Sequence, residues 1–144
     1  MNRKTALIAI AGSLAALGIL AALVSPSGGN VRSVERIAQS TDRYTEADIL
    51  AAFNAIETKF ASEFEGCALD EVRYDGEVET RHLDEMLEHR QKGKGDLIVV
   101  LSEFTTGWRA ADEGFSPNDR YEGWQWVLTR PSQGAPWKVV DWGY

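Results

Sequence analysis

His82, Glu85 and His89 recur at 3, 4 spacing in the run HLDEMLEH, a separation that sets metal-ligating side chains on one face of a helix. A zinc site also needs a partner ligand and a recognisable motif. This run lacks the Glu-x-x-His pairs of di-iron bundles, and the chain has no second His or Cys cluster. The spacing is therefore read as a solvated helical face with i, i+3 and i, i+4 pairing, and no metal or cofactor is expected. Acid–base chemistry is the next candidate. An Asp or Tyr facing a concave pocket can abstract a proton once burial has shifted its pKa, and Asp70, Tyr74 and Asp141 are the residues to consider. Asp141 sits between Val140 and Trp142, where the polar side of a strand turns it to solvent. Cys67 has no basic neighbour to activate its thiol, and as the single cysteine it can close no internal disulfide. No Ser-His-Asp or Cys-His spacing emerges. These residues favour binding over catalysis, with a pocket enzyme using Asp70 or Asp141 as general base as the alternative.

The aromatic residues carry more information. All five tryptophans fall after Gly107, and four lie in the final hairpin. Pairing Trp126 with Trp142, Leu128 with Val140 and Trp124 with Tyr144 makes one side of that hairpin almost wholly apolar. The register with Leu128 against Val139 mixes the faces. The segment from Thr106 to Gly123 is too long for a simple turn, and Trp108, Phe115 and Tyr121 either pack it down or present it for recognition. The expected binding surface is Trp108, Phe115, Tyr121, Trp124 and Trp126, rimmed by Asp112, Glu113, Asp119 and Arg120.

The elements that must position these residues follow from periodicity. Thr45 and Asp48 form a capping-box pattern, and Ile49, Phe53, Ile56, Phe60 and Phe64 then share one helical face. This predicts a helix from about Glu46 to Phe64, closed by Gly66. Cys67–Tyr74 reads as a strand whose apolar residues change phase, which a bulge near Asp70 reconciles. The Asp75-Gly76 turn is expected to close that strand, and a second helix follows from about Glu79 to Gln91, with Leu83, Met86, Leu87 and Arg90 on one side. Asp96–Thr105, Trp124–Arg130 and Trp137–Trp142 read as three further strands. The order implies an α+β domain, a long helix packed on a curved antiparallel sheet of about four strands, with a second short helix.

Three motifs carry a family likeness: FEGCALDEVRYD after the first helix, the Trp124-x-Trp126 strand, and the ending WKVVDWGY. In them Phe64, Gly66, Cys67, Tyr74, Asp75, Trp142, Gly143 and Tyr144 resemble the pattern of a family of small exported Gram-positive bacterial proteins of unknown function. The resemblance covers roughly the final hundred residues. It implies homology and export but no activity. More distantly, the layout resembles the cystatin-like cone of nuclear transport factor and its relatives. That likeness bears on fold alone.

Thr5–Val24 contains no charged side chain, and as a helix it would span about 30 Å, the hydrocarbon thickness of a bilayer. Arg3 and Lys4 precede it, so residues 1–4 are expected inside and everything after Ser25 outside. The expected organisation is a cytoplasmic N-terminus (1–4), a transmembrane signal-anchor (5–24), a tether (25–44) and an extracytoplasmic domain (45–144). A cleaved signal is the alternative, with Ser25-Pro26-Ser27 a poor site. Thirteen basic and all 22 acidic residues lie beyond Asn30, a balance of −9 that opposes nucleic-acid binding. The expected function is a non-enzymatic module that binds an envelope protein or a small molecule. A structural envelope protein oligomerising through its anchor is a further alternative.

Overall fold

The computed structural model describes residues 28–82 and 95–144. The apolar run 5–24 lies outside these residues, as do Glu85, His89 and most of the expected second helix. Among the described residues no helix is long and apolar enough to cross a membrane.

Helix α1, Glu46–Glu63, begins at the capping box that the sequence predicts. The Asp48 N–H donates to the Thr45 hydroxyl at 3.2 Å, and the Thr45 N–H donates to the Asp48 carboxylate at 3.1 Å. Its buried face is Ile49, Ala52, Phe53, Ile56 and Phe60. Phe64 caps the other end, its N–H bonded to the Phe60 carbonyl at 3.0 Å, and its ring remains buried.

The sheet has five strands in the order β1-β2-β3-β4-β5: Glu35–Ala38, Cys67–Tyr74, Asp96–Thr106, Arg120–Arg130 and Lys138–Gly143. Strands β2 to β5 form an antiparallel meander, whereas β1 runs parallel to β2. This corrects two expectations. The sheet is mixed, and the segment assigned to a tether supplies its first strand. Strand β1 is held by backbone pairing and by Arg36, whose guanidinium donates to both Glu57 oxygens and to Asn54 on α1. Glu35, Arg36 and Ile37 are all exposed, so the strand carries no apolar alternation to announce it.

Three bulges tune the meander. The β2–β3 register shifts between Leu69 and Glu71, so Asp70 is the extra residue and Cys67, Leu69, Val72 and Tyr74 all reach the core, as expected. In β4 the shift falls at Glu122 and Gly123, the latter at φ +68°, and the strand continues back to Arg120. Tyr121 therefore sits opposite Phe104 with the rings stacked at 4.8 Å. In β5, Trp126 pairs with Trp142 as expected, but Leu128 pairs with Val139. The two registers posed as alternatives coexist because Val140 bulges out between them.

The main core lies between α1 and one face of the sheet, with Ile98, Val100, Phe104, Trp126 and Leu128 facing the helix. Leu97, Val99 and Val127 form a small cluster on the other face. Strand β3 is longer than β2, and its residues 97–99 extend past the pairing. Their outward backbone groups need other partners. Helix α2, Gly76–His82, supplies one of them, and it begins three residues earlier than expected. Asp75 opens it as a cap, accepting the Glu77 N–H at 2.8 Å, rather than closing a turn.

Candidate functional site

The sequence-predicted aromatic surface separates into buried and exposed parts. Trp126 is fully buried and donates its indole N–H to the Ser102 hydroxyl at 2.8 Å, so it belongs to the core and cannot meet a ligand. Phe115 is half-buried, stacked on Phe64 at 5.4 Å. Tyr121 and Trp124 are also half-buried, their rings 5.9 Å apart, and the enclosed indole N–H of Trp124 finds no acceptor. Only Trp108 stands clear, 71% exposed, with the Arg109 guanidinium 5.0 Å from its ring. Two exposed rings were missed as surface. Tyr144 is 77% exposed, and Trp142 lies between Trp126 and the Lys59 ammonium, which is 4.5 Å from its ring. Both follow from the strand alternation that continues the aromatic wall to its end.

The long connection between β3 and β4 is ordered by its own bonds. A 3₁₀ turn, Trp108–Glu113, is closed by Gly114 in the left-handed region at φ +85°. The Thr106 hydroxyl donates to the Ser116 carbonyl at 2.6 Å and accepts the Asp119 N–H at 2.8 Å. The connection is a folded cap rather than a free loop.

At the opposite end of the sheet, a cleft of about 530 Å³ lies between the 39–43 turn and the start of α2. Thr41, Asp42, Arg43, Tyr74, Asp75 and Glu77 line it, with Glu79 beneath. Glu79 is 2% exposed. One of its oxygens accepts the Tyr74 hydroxyl at 2.7 Å and Arg43 at 3.3 Å, and the other accepts the Val99 N–H at 3.2 Å. The neighbouring Leu97 carbonyl takes the Tyr44 hydroxyl at 2.7 Å and Arg43 at 3.3 Å. The overrun of β3 is thus sealed by Glu79, Tyr44 and Arg43. Burial, and then the bond to Glu79, push the Tyr74 phenol well above the ordinary tyrosine range. Burial likewise raises the Tyr44 phenol. Sequence reasoning missed Glu79. The available signal was length: an apolar strand of 11 residues beside one of 8 leaves backbone that buried polar side chains must satisfy.

The other candidates do not converge on this cleft. Asp141 is exposed on β5, its carboxylate accepting the Trp142 N–H at 2.9 Å. Asp70 is the bulge residue of β2, half-buried, with one carboxylate oxygen enclosed and without a hydrogen-bond partner. Cys67 is buried at the start of β2. Burial, and then the nearby Glu113 charge, push its thiol up to about 11, which leaves it unreactive. His82 ends α2, and Glu85 and His89 lie outside the described residues.

Comparison with protein-family models, with curated proteins and with solved structures returned no match.

Proposed function

We propose that this chain is a single-pass, membrane-anchored extracytoplasmic domain that binds a small polar ligand and catalyses nothing. The observation that carries the binding reading is the cleft above Glu79. Its walls bring the Arg43 guanidinium and the carboxylates of Asp42, Asp75 and Glu77 around one opening. A small molecule bearing both charge signs suits such walls. The buried carboxylate beneath them is engaged by the Tyr74 hydroxyl, Arg43 and the Val99 N–H, which commits it to tying α2 to β3. Asp70 and Asp141, the bases of the enzyme alternative, both lie away from the cleft. The anchor rests on the charge-free run 5–24 and the basic pair before it.

Kinship with the exported Gram-positive proteins ending in Trp-Gly-Tyr belongs to the same proposal. Its support is that the motif residues have structural reasons. Gly66, at φ +76°, leaves no room for a Cβ beside Ala110 and Arg109, and Trp124, Trp142 and Tyr144 share one aromatic face. The cystatin-like cone is supported by the helix lying across the antiparallel meander, to which the parallel β1 is an addition.

Two measurements test this reading. A phosphatase fused after Tyr144 should be active outside the cell, and the fusion should stay with the membrane fraction. Release of a processed form would show a cleaved signal. A zwitterionic ligand that occupies the cleft should raise the melting temperature of the full chain. At a hundredfold excess over Kd the gain is about 2.7 kcal/mol, and Arg43→Gln should abolish it. Stabilisation that survives that substitution places the ligand elsewhere and refutes the cleft.

A further inference from the structure

The chain is docked onto the domain from Gly28 onward. Gly28 adopts φ +111°, and a Cβ there would collide with the Ala61 carbonyl near the end of α1. The Gly29 N–H donates to that same carbonyl at 3.1 Å. Asn30 then joins β2, donating to the Cys67 carbonyl and accepting the Leu69 N–H, both at 2.9 Å. The apolar run ends at Val24, and four residue steps reach at most about 14 Å. If the run spans the membrane, as the proposed function holds, the end of the domain beside Gly28 lies at the bilayer surface.

That end is defined by the C-terminus of α1, the start of β2, the close of β3 and the 3₁₀ turn. The Gly107 N–H donates to the Gly66 carbonyl at 2.7 Å, and Gly28, Gly66, Gly107 and Arg109 border one shallow hollow of about 410 Å³. Trp108, the most exposed tryptophan among the described residues, lies between Gly107 and Arg109 and so belongs to this end of the domain. Its amphipathic ring is the side chain that favours the headgroup layer. Arg109, over the ring, can meet a lipid phosphate. Glu63, Glu65 and Glu113 occupy the same end, so general attraction to anionic lipid is not the driving force.

We propose that Trp108, backed by Arg109, inserts into the headgroup layer of the membrane that holds the anchor. The contact fixes the orientation of the domain and turns the cleft above Glu79 away from the bilayer. This rests on the anchor reading, and one experiment separates the two. Full-length chain is reconstituted into phosphatidylcholine liposomes containing lipid brominated near the headgroup, and tryptophan fluorescence quenching is measured. Quenching should fall at least about twofold in Trp108→Phe and persist in high salt. Trp142→Phe, on the edge strand β5 and level with Trp126 halfway along β4, should leave it unchanged. If the chain floats with the liposomes but Trp108→Phe is quenched as the wild type is, the contact is refuted and the anchor stands. A chain that does not float at all refutes the anchor and the contact together.

Discussion

Arg130 ties the start of α1 to the end of the sheet, and its removal has a calculable cost. The side chain is 3% exposed. Nη1 is 2.7 Å from Asp48, Nε is 2.7 Å from Asp96, and the guanidinium lies 4.3 Å from the centre of the Trp137 ring. Replacing it with Met keeps the packing and strands both carboxylates. Removing one partner of a buried pair costs about 3–5 kcal/mol. Asp96 is 37% exposed and recovers water, which puts Arg130→Met near the low end of that range. At roughly 4–8 °C per kcal/mol, the melting temperature should fall by about 12–24 °C at pH 7. The loss should also depend on pH. The bond from Arg130, and then the Thr45 N–H, hold the Asp48 carboxyl below its usual range. Stability from this pair is therefore complete above the unfolded carboxyl pKa of about 3.9 and fades as pH falls through the lower folded value. Circular dichroism melts of both proteins from pH 7 downwards should show the gap narrowing at the acid end. A deficit under about 1 kcal/mol, or one independent of pH, would refute the buried-pair account.

Phe60→Ala, which deletes a ring packed between Phe64 and Phe104, should cost about 3–5 kcal/mol in urea denaturation. Tyr74→Phe removes the 2.7 Å bond from the phenol to the buried Glu79 carboxylate, and the cost should be about 1–3 kcal/mol by the same measurement. Gly29→Ala forces a Cβ to within 2.5 Å of the Phe60 ring and carbonyl, and should destabilise by about 1–3 kcal/mol. An unchanged melt would mean that Gly29 is not docked. The Cys67 thiol, pushed up to about 11, should react with a disulfide reagent at pH 8 about a hundredfold more slowly in the native chain than in urea.

The parts of the fold legible in the sequence are those where one local pattern decides. The capping box and the 4, 3, 4, 4 spacing gave α1 to within a residue, and the phase change between Leu69 and Val72 located the bulge at Asp70. Strand β1 escaped because its stability comes from a parallel ladder and from Arg36 reaching residues 18 and 21 positions away. Neither leaves a local trace. The candidate site escaped for a similar reason. Glu79 became a buried carboxylate because β3 extends beyond its neighbour, which is a relation between two strands rather than a motif. Composition correctly marked the aromatic wall, but only the sheet's geometry separates Trp126, bonded to Ser102, from Trp108 in solvent.

The parallel pairing of β1 with β2 also decides how the domain answers to force. A pull on the chain before Gly28 enters at Asn30, beside the start of β2, and runs on into β1, which pairs with the end of β2. If the domain is held at its far end, by a ligand gripped in the cleft above Glu79, the two strands are drawn past each other along their length. The ladder bonds from Glu35 to Ala38, together with the bidentate Arg36–Glu57 pair, then share the strain and must fail together. A strand joined in the opposite sense would peel away one bond at a time. The short, exposed first strand is thus arranged to carry a load along its length in shear rather than by peeling.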